Sequence, residues 1–406
     1  MRVLHVSDCY LPRLGGIETH VHDLSAVQRA AGLDVRILTA TPPGGERVQE
    51  EAGVVRLPGL RLPGPGARTD PLRQALRDSG ADVVHVHSSV VSPLAWTAAR
   101  EARALGMPVV ATLHSLVGDG LPMAAMRAVI GQRALGEIRW TAVSRVAARP
   151  LQEAIGQPVS VLHNGIDPAA WRPQGPARPA PPTPGEPRTV TLVSALRFAR
   201  RKRPQALLRL LAAVRRAVPA DVRLRAVLLG DGPMWAAARR RVRALGMAGW
   251  VELPGRCSRE EVRRVLAGGD VYLAPARLES FGLAALEARC AGLSVVAFAC
   301  SGVAEFVTPG VEGFLADDDE DMAAVVASLA ARPDVLAAVR AHNLATAPAM
   351  TWPAVLRSGL AQYTAAGAPP ALWPRRTFVD LRATGLTGAG TTAPRPGLVT
   401  SAGSGR

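Results

Sequence analysis

Seven of the fifteen residues from 173 to 187 are proline, and neither a helix nor a central strand runs through such a stretch. The chain therefore reads as two folding units joined by an extended linker over 173–188. Its 406 residues agree, because single cores rarely grow beyond roughly 250–300 residues. On both sides of the linker, short β-rich runs alternate with helical patterns. The strands expected before it are 3–6, 35–38, 83–86, 109–112 and 159–162, with helices near 18–31, 93–105, 123–135 and 146–154. After it the strands are 190–195, 224–229, 271–273 and 294–297, with helices near 204–218, 234–245, 259–267 and 283–291 and a late helix over 352–365. Several strands are continuous apolar runs, as in a parallel sheet covered on both faces. The alternation predicts two doubly wound α/β sheets. Ligands of such folds sit where the carboxyl ends of the strands face a cleft. The expected division is a first domain over 1–172, the linker, a second domain over 189–350 and a helix over 351–366 returning to the first domain. A tail over 367–406, rich in Gly, Thr, Ala, Pro and Ser without an apolar period, is expected to be disordered.

No window offers the roughly 18 consecutive apolar residues of a membrane span, and the N-terminus enters a strand pattern with no signal-like apolar core. The expected compartment is the cytoplasm. Four cysteines stand singly, which argues against a disulfide framework or a zinc ribbon. The net charge of +15 favours anionic partners such as nucleic acid, lipid headgroups or phosphorylated metabolites. Lys202 is the only lysine among 48 basic residues. Where the other basic positions are all arginine, one retained lysine points to a specific task.

Three loops carry chemistry. Gly15-Gly16, between the first strand and its helix, lets the backbone approach an anion at the helix start. The spacing is not that of a nicotinamide or flavin fingerprint. After strand 190–195, Arg197 and Lys202 lie five residues apart around a strand-to-helix loop and can converge on one diphosphate. In Arg277-Leu278-Glu279-Ser280-Phe281-Gly282-Leu283, followed by Glu287, two carboxylates spaced E-x7-E flank a helix start. The free N–H groups there suit a phosphate or sugar oxygen, and the carboxylates accept from sugar hydroxyls.

Together these residues resemble the retaining GT-B glycosyltransferases of family 4, across roughly residues 1–365. The match extends to Thr112-Leu113-His114-Ser115, Ala142-Val143-Ser144, His163-Asn164-Gly165-Ile166-Asp167, Leu229-Gly230-Asp231-Gly232-Pro233, Gly255-Arg256 and Gly302-Val303-Ala304-Glu305. The resemblance implies two Rossmann-like domains facing across a cleft. It implies that Arg197 and Lys202 bind the donor diphosphate, that Glu287 holds the ribose, and that Glu279 with the Phe281, Gly282 and Leu283 backbone holds the donor sugar. Gly16 would approach the phosphate from the other domain, and Arg256-Cys257 would meet the base. A catalytic set of His114, Arg197, Lys202 and Glu279 follows, with an NDP-sugar as co-substrate and no cofactor or metal. The acceptor would be a hydroxyl of a lipid, polysaccharide or small molecule, as in glycolipid or lipopolysaccharide synthesis in the cell envelope. His85-Val86-His87-Ser88-Ser89 and Thr112-Leu113-His114-Ser115-Leu116 are similar to transferases that place N-acetylglucosamine on phosphatidylinositol, and more loosely to inositol-directed actinobacterial enzymes. The pattern departs at Ser301-Gly302, where the family often has Gly-Gly, and in an arginine-rich basic loop.

Other features have plainer readings. Asp317-Asp318-Asp319 contains a formal D-x-D but precedes a helix, where acidic residues cap. His20 and His22 point to different sides of a helix. His85 and His87 share one strand face and lack further metal ligands, so structural or acceptor-pocket roles are expected. The basic stretch 121–149 suits peripheral contact with anionic lipid and equally a solvated helix face. The charge also fits a nucleic-acid-binding protein, but with 4% aromatic residues and no known binding module, no nucleic acid is expected. An inactive sugar-nucleotide sensor is disfavoured, because both glutamates, Arg197 and Lys202 are intact.

Overall fold

The computed structural model describes residues 1–13, 15–44, 52–57, 69–117, 120–174 and 188–370. The first sheet is built from β1 (Arg2–Ser7), β2 (Asp34–Thr39), β3 (Val54–Arg56), β4 (Val83–Ser88), β5 (Val109–Leu113), β6 (Arg139–Ala142) and β7 (Ser160–Val161). The second contains β8 (Arg188–Ala195), β9 (Val222–Leu229), β10 (Val251–Gly255), β11 (Val271–Ala274), β12 (Ser294–Phe298) and β13 (Gly313–Ala316). Helices of the first unit are α1 (Gly16–Ala30), α2 (Asp70–Ser79), α3 (Pro93–Ala104), α4 (Leu121–Ile130), α5 (Gln132–Glu137), α6 (Arg145–Ile155) and α7 (Pro168–Trp171). Those that follow are α8 (Pro204–Ala217), α9 (Trp235–Ala244), α10 (Arg259–Ala267), α11 (Leu283–Cys290), α12 (Asp319–Ala331), α13 (Pro333–Ala345) and α14 (Trp352–Ala365).

All strand pairs are parallel, in the orders β3-β2-β1-β4-β5-β6-β7 and β10-β9-β8-β11-β12-β13. Both orders reverse beside their first strand, at β1/β4 and β8/β11, and such a switch point opens a crevice at the carboxyl ends. The apolar runs are buried as a doubly covered sheet requires, with β4 and β5 buried throughout. Proline opens α3, α8 and α14 within their first turn, where a missing N–H costs nothing.

The structure adds elements beyond the expected ones, and each has a local reason. β3 and β13 are short edge strands. β6 begins on Arg139, outside any apolar run. β10 contains Pro254, which an edge strand tolerates. The single helix expected over 123–135 is two helices, because Gly131 adopts φ 82° between α4 and α5. The expected linker is shorter at its end, since Arg188 already pairs with Val222 in the second sheet, while 175–187 lie outside the described residues. Ala368, expected to lie in the disordered tail, is buried against Val3 and Val83, and 371–406 lie outside the described residues.

After the second sheet the chain returns to the first. Ile166 and Thr351 form a parallel bridge, and the Ile166 carbonyl accepts from the Trp352 N–H at 3.1 Å. Trp352 packs with Leu24, Val27 and Leu162, and Tyr363 with Val3, Val83 and Val110. α14 thereby closes the first sheet's face beside α1.

Candidate active site

Each chemistry-bearing loop leaves the carboxyl end of a strand near a switch point. Lys202, in the short helical turn after β8, forms an ion pair with Glu279, in the loop after β11. Both are partly buried, with side chains 26% and 18% exposed, so the pair is less screened than a surface one. Arg197 is exposed in the same β8 loop. Beside them Arg203 makes a two-pronged bond to Asp319, at 2.9 and 2.8 Å. That arginine is structural, and so is the nearby acidic run. Asp318 caps α12, its carboxylate accepting from the Glu320 and Asp321 N–H groups at 2.9 Å each.

The Glu279 loop is held from two sides. The Gly302 N–H donates to the Glu279 carbonyl at 2.8 Å. A side chain at Gly302 would collide with the Ser280 carbonyl, which explains glycine there. From the first unit, the His114 carbonyl accepts from Ser280 Oγ at 2.6 Å. Gly282 then opens α11 at φ 93°; its carbonyl accepts from the Ala285 and Leu286 N–H groups at 3.0 Å each, which leaves the Leu283 and Ala284 N–H groups at the helix start without helical partners. Gly16 faces this turn across the cleft, where an added Cβ would lie 3.9 Å from Leu283. Phe281 is buried, and its ring lies 5.8 Å from that of His163.

Two further contacts join the units. Glu305 accepts from the Arg145 N–H at 2.8 Å and pairs with His163 at 3.4 Å. Arg259 at the start of α10 pairs with Asp23 of α1 at 3.2 Å. Near that pair lies Glu287 on α11. Burial pushes its carboxyl up to about 7, Arg259 and Arg263 pull it down, and Asp23 pushes it up. Arg256 is exposed and Cys257 half-buried after β10, which pairs with β9 at the sheet's edge.

The structure thus gathers Gly16 and His114 of the first unit and Lys202, Glu279, Phe281, Gly282 and Leu283 of the second across one cleft. Glu305, His163 and Asp23 also join the two units, although sequence reasoning gave them no role at a site. Glu305 and His163 stood inside recognised motifs, which was a signal; Asp23 had none. The expectation that His85 and His87 lack a further potential ligand is corrected: His5, on neighbouring β1, joins them, and one ring nitrogen from each of the three lies within 4.8 Å of the others. Of the basic residues in 121–149, Arg139 is not on a solvated face, since it bonds Gln362 of α14 at 2.7 Å and Ser160 at 2.9 Å.

Two parallel Rossmann-like sheets, with a cation–carboxylate pair and glycine-opened helix starts at their facing carboxyl ends, define a GT-B glycosyltransferase. The chain belongs to glycosyltransferase family 4 and is a hexosyltransferase. Residues 14–170 match the family described as Glycosyltransferase Family 4, and residues 187–332 match Glycosyl transferases group 1. The chain is 30% identical to a D-inositol 3-phosphate glycosyltransferase of Segniliparus rotundus, over 89% of this chain and 87% of that one. It is 28% identical to a phosphatidyl-myo-inositol mannosyltransferase of Mycolicibacterium smegmatis, over 77% and 80%. Anabaena HepE, solved in complex with UDP-glucose, shares the fold with TM-score 0.71 at 17% identity, over 90% and 100%.

Proposed function

We propose that the protein moves a hexose, with retention, from a UDP- or GDP-sugar to a hydroxyl of an inositol-bearing acceptor, using neither a metal nor a covalent intermediate. The observation that carries this reading is the Lys202–Glu279 pair, set beside Ser280, which is bonded to His114. One loop cluster thereby holds a cation for a leaving diphosphate and a carboxylate for sugar hydroxyls, against the wall of the other unit. The names of the inositol-directed relatives support the acceptor class, and HepE with UDP-glucose supports the donor class.

In this reading Lys202 and Arg197 stabilise the charge growing on the diphosphate as the glycosidic bond breaks. The acceptor hydroxyl attacks on the same face and gives its proton to the departing phosphate oxygen. Glu287 accepts from the ribose hydroxyls, which favours its ionised form. With its carboxyl up to about 7 before a donor binds, donor affinity rises with pH through that value.

The test is calorimetry with a panel of UDP- and GDP-sugars. One donor is expected to bind selectively, and Glu287→Ala is expected to weaken it by roughly 10–100-fold, the worth of a hydrogen bond to a charged group. Affinity should strengthen from about pH 6 to about pH 8, and Glu287→Gln should flatten that rise. If no UDP- or GDP-sugar binds, the proposed donor class is wrong.

Peripheral contact with the inner face of an anionic membrane is part of the proposal. Leu121 is 87% exposed at the tip of α4, and Arg127, Arg133 and Arg149 are exposed near it in sequence. Among the described residues no single helix is long and apolar enough to cross a membrane. Vesicles containing anionic lipid should sediment the protein and neutral vesicles should not; equal behaviour removes this contact.

A further inference from the structure

Beneath the candidate site, one face of the first sheet carries a buried run of histidines. His5 and His85 are partners across β1 and β4, and His87 lies two residues on along the same face. His114 follows β5, and His20 of α1 lies 5.3 Å from it, ring to ring. All five are buried. Burial pulls His5 down to about 4 and His114 to about 3, and holds His20, His85 and His87 well below the usual histidine range. The rings are neutral, so each offers one N–H and one bare nitrogen.

Their bonds form a directed chain whose polarity is set at the end away from the cleft. At one end the Ala111 carbonyl, which only accepts, takes the Thr141 hydroxyl proton at 3.3 Å. Thr112 then donates to Thr141 Oγ1 at 2.6 Å and accepts from His85 Nε2–H at 2.7 Å. His85 Nδ1 is therefore bare and receives the Tyr363 hydroxyl proton at 2.8 Å. The Tyr363 oxygen accepts from the Gln28 amide N–H at 2.9 Å, which turns the Gln28 carbonyl oxygen to His5 Nε2 at 2.6 Å. From there the chain continues toward the cleft. His5 Nε2 carries the proton and its Nδ1 accepts from His87 Nε2–H at 2.9 Å. His87 Nδ1 in turn accepts from His114 Nε2–H at 3.0 Å. Which nitrogen of a histidine is protonated follows from the bond its other nitrogen makes, so one assignment propagates to the last ring.

We propose that Gln28, oriented by Tyr363 of the C-terminal helix, is a positioning residue that fixes the Nε2–H tautomer of His114 through His5 and His87. The ring of His114 then offers a substrate hydroxyl only a bare Nδ1, an acceptor and never a donor. This rests on the reading that His114 lies in the transfer site. A metal on His5, His85 and His87 is the competing use of these rings. It would have to break bonds already made, because every ring nitrogen of the three has a partner.

The test is nitrogen NMR of the full chain labelled with ¹⁵N-histidine, beside elemental analysis of the purified protein. His5, His87 and His114 are each expected to show a protonated Nε2 and a bare Nδ1, with no metal present. A bare Nε2 on His114, or one equivalent of bound zinc, overturns the proposal without any variant. Gln28→Leu removes the acceptor at His5 and should leave His114 in mixed tautomers. Turnover should fall about tenfold, the worth of one positioned hydrogen bond, while nucleotide-sugar affinity by calorimetry stays unchanged. Gln28→Glu still accepts from His5 Nε2–H and should restore both the tautomer and the turnover. Equal losses in the Leu and Glu variants, or a Leu variant with wild-type tautomers, would show Gln28 to be structural only. Absence of nucleotide-sugar binding in the wild type is a separate result: it removes the proposed donor site and leaves the tautomer measurement standing.

Discussion

Acidification from about pH 7.5 to about pH 5 is expected to destabilise the protein by roughly 6 kcal/mol, most of what a domain of this kind has. The cause is the buried histidine run. In the unfolded chain each ring takes a proton near its usual value of about 6.5. In the fold, burial holds His5 at about 4, His114 at about 3 and the other three well below the usual range. These are depressed values, so the stability they contribute is complete above about pH 6.5 and is lost as pH falls below it. At about pH 5 the loss is roughly 2 kcal/mol for each ring, or roughly 10 for the five. Two carboxyls oppose it. Glu287, raised to about 7, and Asp8, raised to about 6 by burial, gain protons in the fold first. Together they return roughly 4 kcal/mol over the same range. Thermal unfolding followed by circular dichroism should show Tm falling by at least about 10 °C between these conditions. A flat Tm would mean that the cluster is open to water or already charged.

Lys202→Ala is expected to lower turnover by about 10²–10³-fold, the usual effect of removing one preorganised charge donor from a transition state. Lys202→Arg should recover part of it, since the charge returns in a different shape. A near-normal rate in Lys202→Ala would refute the assigned role. Because Lys202 is the only lysine, an amine-directed reagent has just one side chain to modify. Inactivation by such a reagent, slowed by a bound nucleotide sugar, reports on the same ammonium in the unmutated protein.

What was legible in the sequence was what short stretches of chain encode. The paired glycines, the Arg197–Lys202 loop and the E-x7-E turn each lie within about a dozen residues, between a strand and the helix that follows it. A strand-to-helix connection in a parallel sheet puts such residues at the carboxyl edge wherever the unit packs. Edge strands were less legible. β10 is interrupted by proline and β13 is only four residues opening on glycine, and they exist because a neighbouring strand offers them bonds.

The sequence by itself determined two doubly wound sheets, the cleft loops and the family, because hydrophobic period and turn chemistry are local properties. Only the tertiary structure decided which distant groups meet. Ser280 reaches His114 across 166 residues, Lys202 reaches Glu279 across 77, and Gln28 reaches Tyr363 across 335. His85 and His87 were visible as a pair on one strand face, but nothing in the sequence placed His5 beside them. The parallel register of β1 against β4, and the return of α14 across the face they share, turned isolated histidines into one hydrogen-bonded chain. The physical reason is that a buried imidazole must find its partners inside the fold, and which ones it finds depends on strand order and register rather than on its neighbours in sequence.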